Sequence, residues 1–139
     1  MSLNNKSLEN VTCEKLLGVH LDQHLTWSAH IQSVAMTVSR NLALLRQIKC
    51  FLPLQARKMF YFSNIQPHFN YCSTIWGLGS DIKKLISLQR CAIRLILDIP
   101  HGVSLHSANK RLNIMPLTDR IDFRMCCNVH RALHKQMGM

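Results

Sequence analysis

The sequence predicts a mainly α protein, with a small β-hairpin leading into a bundle of four to five helices. Three observations carry that expectation. From Thr26 onward the apolar residues recur every three or four positions, the period of one face of an α-helix. The first 25 residues lack that period and instead hold short runs with β-branched residues and turn signals. Prolines and glycines fall between the periodic stretches rather than inside them, as at Pro53, Pro67, Gly77, Gly79 and Pro100.

Taken in order, Asn4-Asn5-Lys6 is a turn signal, and the runs Leu8–Val11 and Leu16–Leu21 are expected to be strands. Gly18, inside the second run, marks a bend or a close backbone approach. Thr26 or Ser28 is expected to cap a first helix reaching about Cys50, with Ile31, Val34, Val38, Leu42 and Leu45 as its buried stripe. Pro53 suits the opening turn of a second helix, and Pro67 breaks it and starts a short segment ending near Trp76-Gly77. Ser80 or Asp81 should cap a helix over 81–99, with Leu85, Leu88, Ala92, Leu95 and Ile99 facing inward and Lys83, Ser87, Arg90 and Arg94 outward. Ser104 or Ser107 is expected to cap a short helix through Leu112. A last helix follows Pro116, with Ile121, Met125, Val129 and Ala132 on one side. That pattern stops without a clear cap, so the chain is expected to be truncated there.

Composition narrows the function. The chain has 139 residues, 47% of them hydrophobic, enough to build one domain and too apolar for a disordered chain. Seventeen Lys and Arg against 7 Asp and Glu give a net charge of +10, which points to polyanionic partners. No stretch of about 18 uncharged apolar residues exists, so no membrane partner is expected. The six cysteines, at 13, 50, 72, 91, 126 and 127, are expected to be reduced, several of them as small buried hydrophobes, in a nuclear or cytoplasmic compartment.

Catalytic constellations are weak. Two-metal chemistry needs carboxylates converging on ions about 4 Å apart. The acids are Glu9, Glu14, Asp22, Asp81, Asp98, Asp119 and Asp122, and no two are adjacent. Asp119 and Asp122 begin a helix, where carboxylates favour the helix dipole. Cys126, His130 and His134 share one helix face at zinc-ligand spacing, but no CxxC pair supplies further ligands, and His20 with His24 is no stronger. No metal or cofactor is therefore expected. The basic residues carry more: Lys83, Arg90 and Arg94 project from one side of a helix, while Lys49, Arg57 and Lys58 cluster where the first two helices join. Rows of cations suit a duplex backbone, because each neutralised phosphate releases condensed counterions. No Arg, Asn and Gln set for reading base edges is evident, so binding without sequence preference is expected.

Several runs resemble a known family. LGVHLDQHLTWSAHI at 17–31, then Leu44-Leu45-Arg46, Phe51-Leu52-Pro53, PHFNYCSTIWG at 67–77, KLISLQRCAIRLIL at 84–97 and LNIMPLTDRIDFRM at 112–125 follow one another along nearly the whole chain. In that order they resemble the part of non-LTR (LINE-type) retrotransposon reverse transcriptases that follows the polymerase palm. The resemblance implies that residues 1–27 match the end of the palm and 28–139 a helical thumb-like and post-thumb region. It places Leu17, Gly18 and Val19 at the primer grip, the hairpin that holds the growing strand's end. It makes Trp27 and Trp76 packing anchors, and puts the adjacent catalytic aspartates and the endonuclease upstream of residue 1. The implied function is a non-catalytic fragment of an RNA-directed DNA polymerase that grips template–primer nucleic acid, with an RNA–DNA or DNA duplex backbone as partner. The alternative is a helical protein–protein interaction module, or an inert remnant, in which surface once packed on the palm now meets another protein or itself. A mean hydropathy of +0.02 beside a net charge of +10 fits a domain parted from a neighbour and predicts self-association.

Overall fold

In the computed structural model, which describes residues 2–138, two small hairpins lead into seven helices. The expected fold class holds: four helices of eleven or more residues make the body, and three shorter ones turn the corners.

The leading segment differs in detail from the expectation. Strands β1 (Ser2–Leu3) and β2 (Lys6–Ser7) pair across Asn4-Asn5, and β3 (Cys13–Leu16) pairs antiparallel with β4 (Val19–Asp22) across Leu17-Gly18. Leu8–Val11 is not a strand, and Leu16–Leu21 is two strands with a turn between them. The reason is local. Asn4, Asn5, Leu17 and Gly18 all have positive φ, the two-residue turn geometry that matches the right-handed twist of paired strands.

Helix α1 (Ser28–Ile48) buries Ile31, Val34, Val38, Leu42 and Leu45, the whole expected stripe. Its start departs from expectation, because no side chain caps it and Trp27 precedes it in the left-handed conformation. The Asp22 carboxylate organises this entry instead. It accepts the backbone N–H groups of His24, Thr26 and Trp27 and the Thr26 hydroxyl, all at 2.9–3.0 Å. These donors hold the Asp22 carboxyl below the usual carboxylate range, the Thr26 amide being the largest cause.

After a 3-10 turn at Lys49–Phe51 come α2 (Leu54–Asn64), α3 (Gln66–Asn70) and α4 (Ser73–Trp76), with Pro67 in the first turn of α3. Helix α5 (Ile82–Leu97) buries Leu85, Ala92 and Leu95 as expected, while Leu88 and Ile99 are only half-buried. Neither Ser80 nor Asp81 supplies a side-chain cap. Helices α1 and α5 run side by side in the same direction, since Lys84 meets Gln32 near their starts and Lys49 meets Asp98 near their ends. Helix α2 runs against α5: Arg57 reaches the Ile96 carbonyl, while Tyr61, further along α2, pairs with Gln89, earlier in α5. Trp76 is fully buried and Trp27 packs on the same core, so both act as anchors.

Helix α6 (His106–Leu112) starts after Leu105 and has no side-chain cap, though the Ser104 hydroxyl lies 3.5 Å from the His106 amide. Helix α7 (Leu117–Met137) is the element that departs most. Leu117 and Ile121 are buried and Met125 packs on the core, but Val129 and Ala132 are exposed. Gly77 lets α7 approach, since a Cβ there would lie 2.9 Å from the Ile121 side chain and 2.3 Å from the Ser73 carbonyl. All six cysteines are free, and none is fully buried: Cys72 and Cys91 pack against the core, while Cys13, Cys50 and Cys126 are exposed. No helix of the described residues is long and apolar enough to cross a membrane.

Candidate nucleic-acid interface

Residues 28–139 hold 15 Lys and Arg against 4 Asp and Glu, a net of +11, so the positive charge belongs to the helical body. Among the described residues the one ion pair is Lys49–Asp98, at 2.6 Å. The Lys49 ammonium holds the Asp98 carboxyl below its usual range by a hydrogen bond and by its charge, with Arg57 adding a smaller effect. Most of the cations are therefore left without a carboxylate partner, which is the electrostatic condition for holding a polyanion.

Helix α5 positions three of the six expected cations. Lys83, Arg90 and Arg94 are seven and four residues apart, so they lie on one stripe opposite Leu85 and Ala92. At 1.5 Å per residue their Cα atoms step about 10 Å and about 6 Å along the helix. Lys83 and Arg90 are exposed; Arg94 is half-buried and donates through Nη2 to the Val103 carbonyl at 3.2 Å. The second expected cluster is divided. Lys49 and Arg57 gather at the end of α5 and are engaged by the protein itself. Lys49 holds Asp98, and Arg57 donates to the Leu52 and Ile96 carbonyls at 3.2 and 2.8 Å. Lys58 turns elsewhere on α2, its ammonium 5.9 Å from the centre of the Phe62 ring. Arg57 thus closes the end of α5, where carbonyls lack intrahelical donors.

At the other expected site, Leu17 and Gly18 form the β3–β4 turn and Val19 is buried at the start of β4. The approach at Gly18 comes from a side chain rather than a backbone: the Tyr71 ring lies 3.5 Å from where a Cβ would stand. The Tyr71 hydroxyl donates to the Leu17 carbonyl, so the α3–α4 corner clamps this turn. Gly18 at φ +83 suits a position that an L side chain rarely adopts. Leu17, 83% exposed, stands at the tip.

Two residues that carried no sequence signal hold these parts in place. Gln89 is buried on the apolar side of α5. Its amide nitrogen donates to Tyr61 Oη and to the Met115 carbonyl, both at 3.1 Å, and its oxygen accepts the Leu117 amide at 2.8 Å. It thereby ties α2 and the start of α7 to the helix that presents the basic row. Burial raises the Tyr61 hydroxyl above its ordinary range, against the opposing pull of Gln89 and Arg120. His30 is buried between His20 and Trp76, with ring centres 6.2 and 5.4 Å away. Burial, and then the His20 charge, lower its pKa. Its Nδ1 accepts the His20 amide at 3.4 Å, which places the proton of the neutral ring on Nε2.

The metal-ligand candidates are looser. His130 and His134 lie 4.1 Å apart by ring centre on α7, and Asp119 and Asp122 occupy its first turns. Among the described residues no group of three or more His, Cys, Asp and Glu side chains is placed to hold a metal ion.

Over 119 residues, 82% of its length, the chain is 27% identical to a probable RNA-directed DNA polymerase from transposon BS of Drosophila melanogaster, and the match covers 13% of that protein. Over 113 residues, 78% of its length, it is 28% identical to a probable RNA-directed DNA polymerase from transposon X-element of the same organism, covering 12% of it. The chain thus spans about an eighth of the length of these curated relatives. No family model and no solved structure matches it. Over 78–82% of its length, a span that includes the basic row of α5, the chain is similar to transposon RNA-directed DNA polymerases.

Proposed function

We propose that this chain is a reverse-transcriptase-derived segment of non-LTR (LINE) type that performs no chemistry alone and grips template–primer nucleic acid by its phosphate backbone. The observation that carries the reading is the stripe Lys83, Arg90 and Arg94 on α5, set on a body of net charge +11 with one ion pair among the described residues. Gln89 fastens α5 on its inner side, so the row is presented on a rigid support. Lys49, beside Asp98, and Lys58, beside Phe62, add positive charge away from the row, and Arg57 serves mainly to hold the end of α5. Leu17, Gly18 and Val19 act as a primer grip, a tight turn whose exposed tip is held by Tyr71. The partner is an RNA–DNA or DNA duplex, bound without base readout, in the nucleus or cytoplasm.

Binding of a fluorescent RNA–DNA hybrid across a salt series tests this. Engagement of about six phosphates predicts a slope near −5 in log K against log salt. Charge reversal at Lys83 or Arg90 should weaken binding to all sequences alike and lower the slope by about 1. A flat salt response, or no binding at low salt, would overturn the grip.

A second reading, a protein-docking module, is favoured by the apolar side chains that stand free. Phe123, Val129, Leu133 and Met137 on α7, with Leu16 and Leu17 on the hairpin, are all more than half exposed. Its partner is the palm surface or a second copy. Gel filtration over a concentration series separates the two readings, because apolar association changes little with salt while phosphate binding falls steeply.

A further inference from the structure

Arg90 and Arg94 also line a cleft, bounded by α5, the loop before α6 with α6 itself, and the opening of α7, with a volume of 440 Å³. Ser104, His106, Asn109 and Thr118 line it with them, and no lining residue is acidic. Two of these residues each carry a buried polar atom without a partner, Arg94 Nε and the side-chain oxygen of Asn109. An orphaned guanidinium N–H is costly to bury, and here the same guanidinium is tethered through Nη2 to the Val103 carbonyl at 3.2 Å. Asn109 lines the same space, and a half-turn of its amide would exchange the unpartnered oxygen for the –NH2. Helix α7, 21 residues long, opens on this space at Thr118; Gln89 accepts its Leu117 amide, and Pro116 offers no side-chain cap to the amides that follow. Two guanidinium groups, amide and hydroxyl donors and the positive end of a long helix make a donor set with no acidic residue in its lining, although Asp119, next along α7, accepts the Thr118 hydroxyl.

We propose that this cleft is a phosphate-binding pocket, in which Arg94 Nε and Arg90 hold the oxygens of one phosphate and the start of α7 faces its charge. The volume exceeds what one phosphate fills and leaves room for an attached sugar. The phosphate comes either from a nucleic-acid strand running along α5 or from a free mononucleotide. The proposal deepens the grip reading above and rests on it for the first of these sources alone.

Titration of the ¹⁵N-labelled full chain with inorganic phosphate, with a mononucleotide and with an RNA–DNA hybrid tests the pocket. The signals to follow are the Thr118 and Asp119 amides and Arg94 Nε. Saturable shifts at these signals are expected, with affinity falling about tenfold in R94Q. R90Q alters an exposed residue, so it keeps the test valid where R94Q fails to fold, and a similar loss is expected. Hybrid and phosphate competing for the same signals identifies the strand as the source. Shifts from phosphate or mononucleotide alone identify the free nucleotide, and if the hybrid binds nowhere the grip reading fails while the pocket stands. Unmoved signals with all three ligands at millimolar concentration would overturn the pocket. Hybrid binding that persists in that case leaves the grip on the outer row of α5 intact.

Discussion

In α5, Leu85, Ala92, Leu95 and Ile96 are buried against α1 and α2, whereas in α7 the apolar stripe is covered through Ile121 and Met125 and then runs out, leaving Val129 59% exposed. Both helices carry apolar residues at three- and four-residue spacing with cations beside them. An amphipathic pattern states which side of a helix would face a core and contains nothing about whether a neighbour is there. Helix α5 lies among α1, α2, α6 and α7, and α7 packs only through its first turns. The same residue type therefore has unlike energetic weight in the two helices, and the difference can be measured.

The largest effect should come from Leu85→Ala, which removes a fully buried side chain and leaves a cavity. A loss of about 3 kcal/mol is expected in urea unfolding, and a loss below about 1 kcal/mol would mean that α5 is not the central helix. Gln89→Ala should follow, at about 2 kcal/mol, because it orphans Tyr61 Oη, the Met115 carbonyl and the Leu117 amide together. A fully additive response with Tyr61→Phe, which removes the hydroxyl that Gln89 meets, would show that Gln89 does not couple α5 to α2.

Acidification should come next, and it acts on the supports of α1 and α5. His30 has its pKa lowered by burial and by the His20 charge, so the unfolded chain binds a proton first as pH falls. Its contribution is complete above the ordinary imidazole value, 6.5, and erodes as pH drops below it. The melting temperature should decline through that range and the decline should shrink in His30→Gln. Asp22 and Asp98 have lowered carboxyl pKa values, through the Thr26 amide and Lys49 respectively, so their contributions are present above the ordinary carboxylate range and disappear only as pH falls beneath it. A second decline confined to strongly acidic solution is the corresponding outcome in circular dichroism. The smallest effect belongs to Val129→Ser on α7, expected within about 0.5 kcal/mol of zero. A cost comparable to Leu85→Ala would reveal that a partner covers this face in solution, and a concentration-dependent melting temperature would identify that partner as a second copy.

Some of this was legible residue by residue. The stripe Ile31 to Leu45 could be read because a helix repeats every 3.6 residues wherever it lies, and Pro67, Gly77 and Pro100 mark boundaries through their own backbone preferences. The hairpin register was not legible, because Leu16–Leu21 reads as one run until Leu17 and Gly18 take positive φ. Gln89 was invisible for the opposite reason: a polar residue on an apolar side reads as an interruption until its three partners, drawn from α2 and the link to α7, are in place. In the candidate interface, the row Lys83, Arg90 and Arg94 follows from helical spacing alone. That Arg57 serves the Ile96 carbonyl, or that Arg94 turns towards Val103, depends on segments 39 and 9 residues away.

By itself the sequence determined the helical class, the positions of the long helices, the buried stripes of α1 and α5 and the excess of positive charge, since these depend on backbone preference, periodicity and counting. The tertiary structure decided which stripe finds a partner, which cations stand exposed and which turn to the protein's own carbonyls. Those outcomes depend on which surfaces meet across the fold, and burial and hydrogen bonding act only between groups brought into contact.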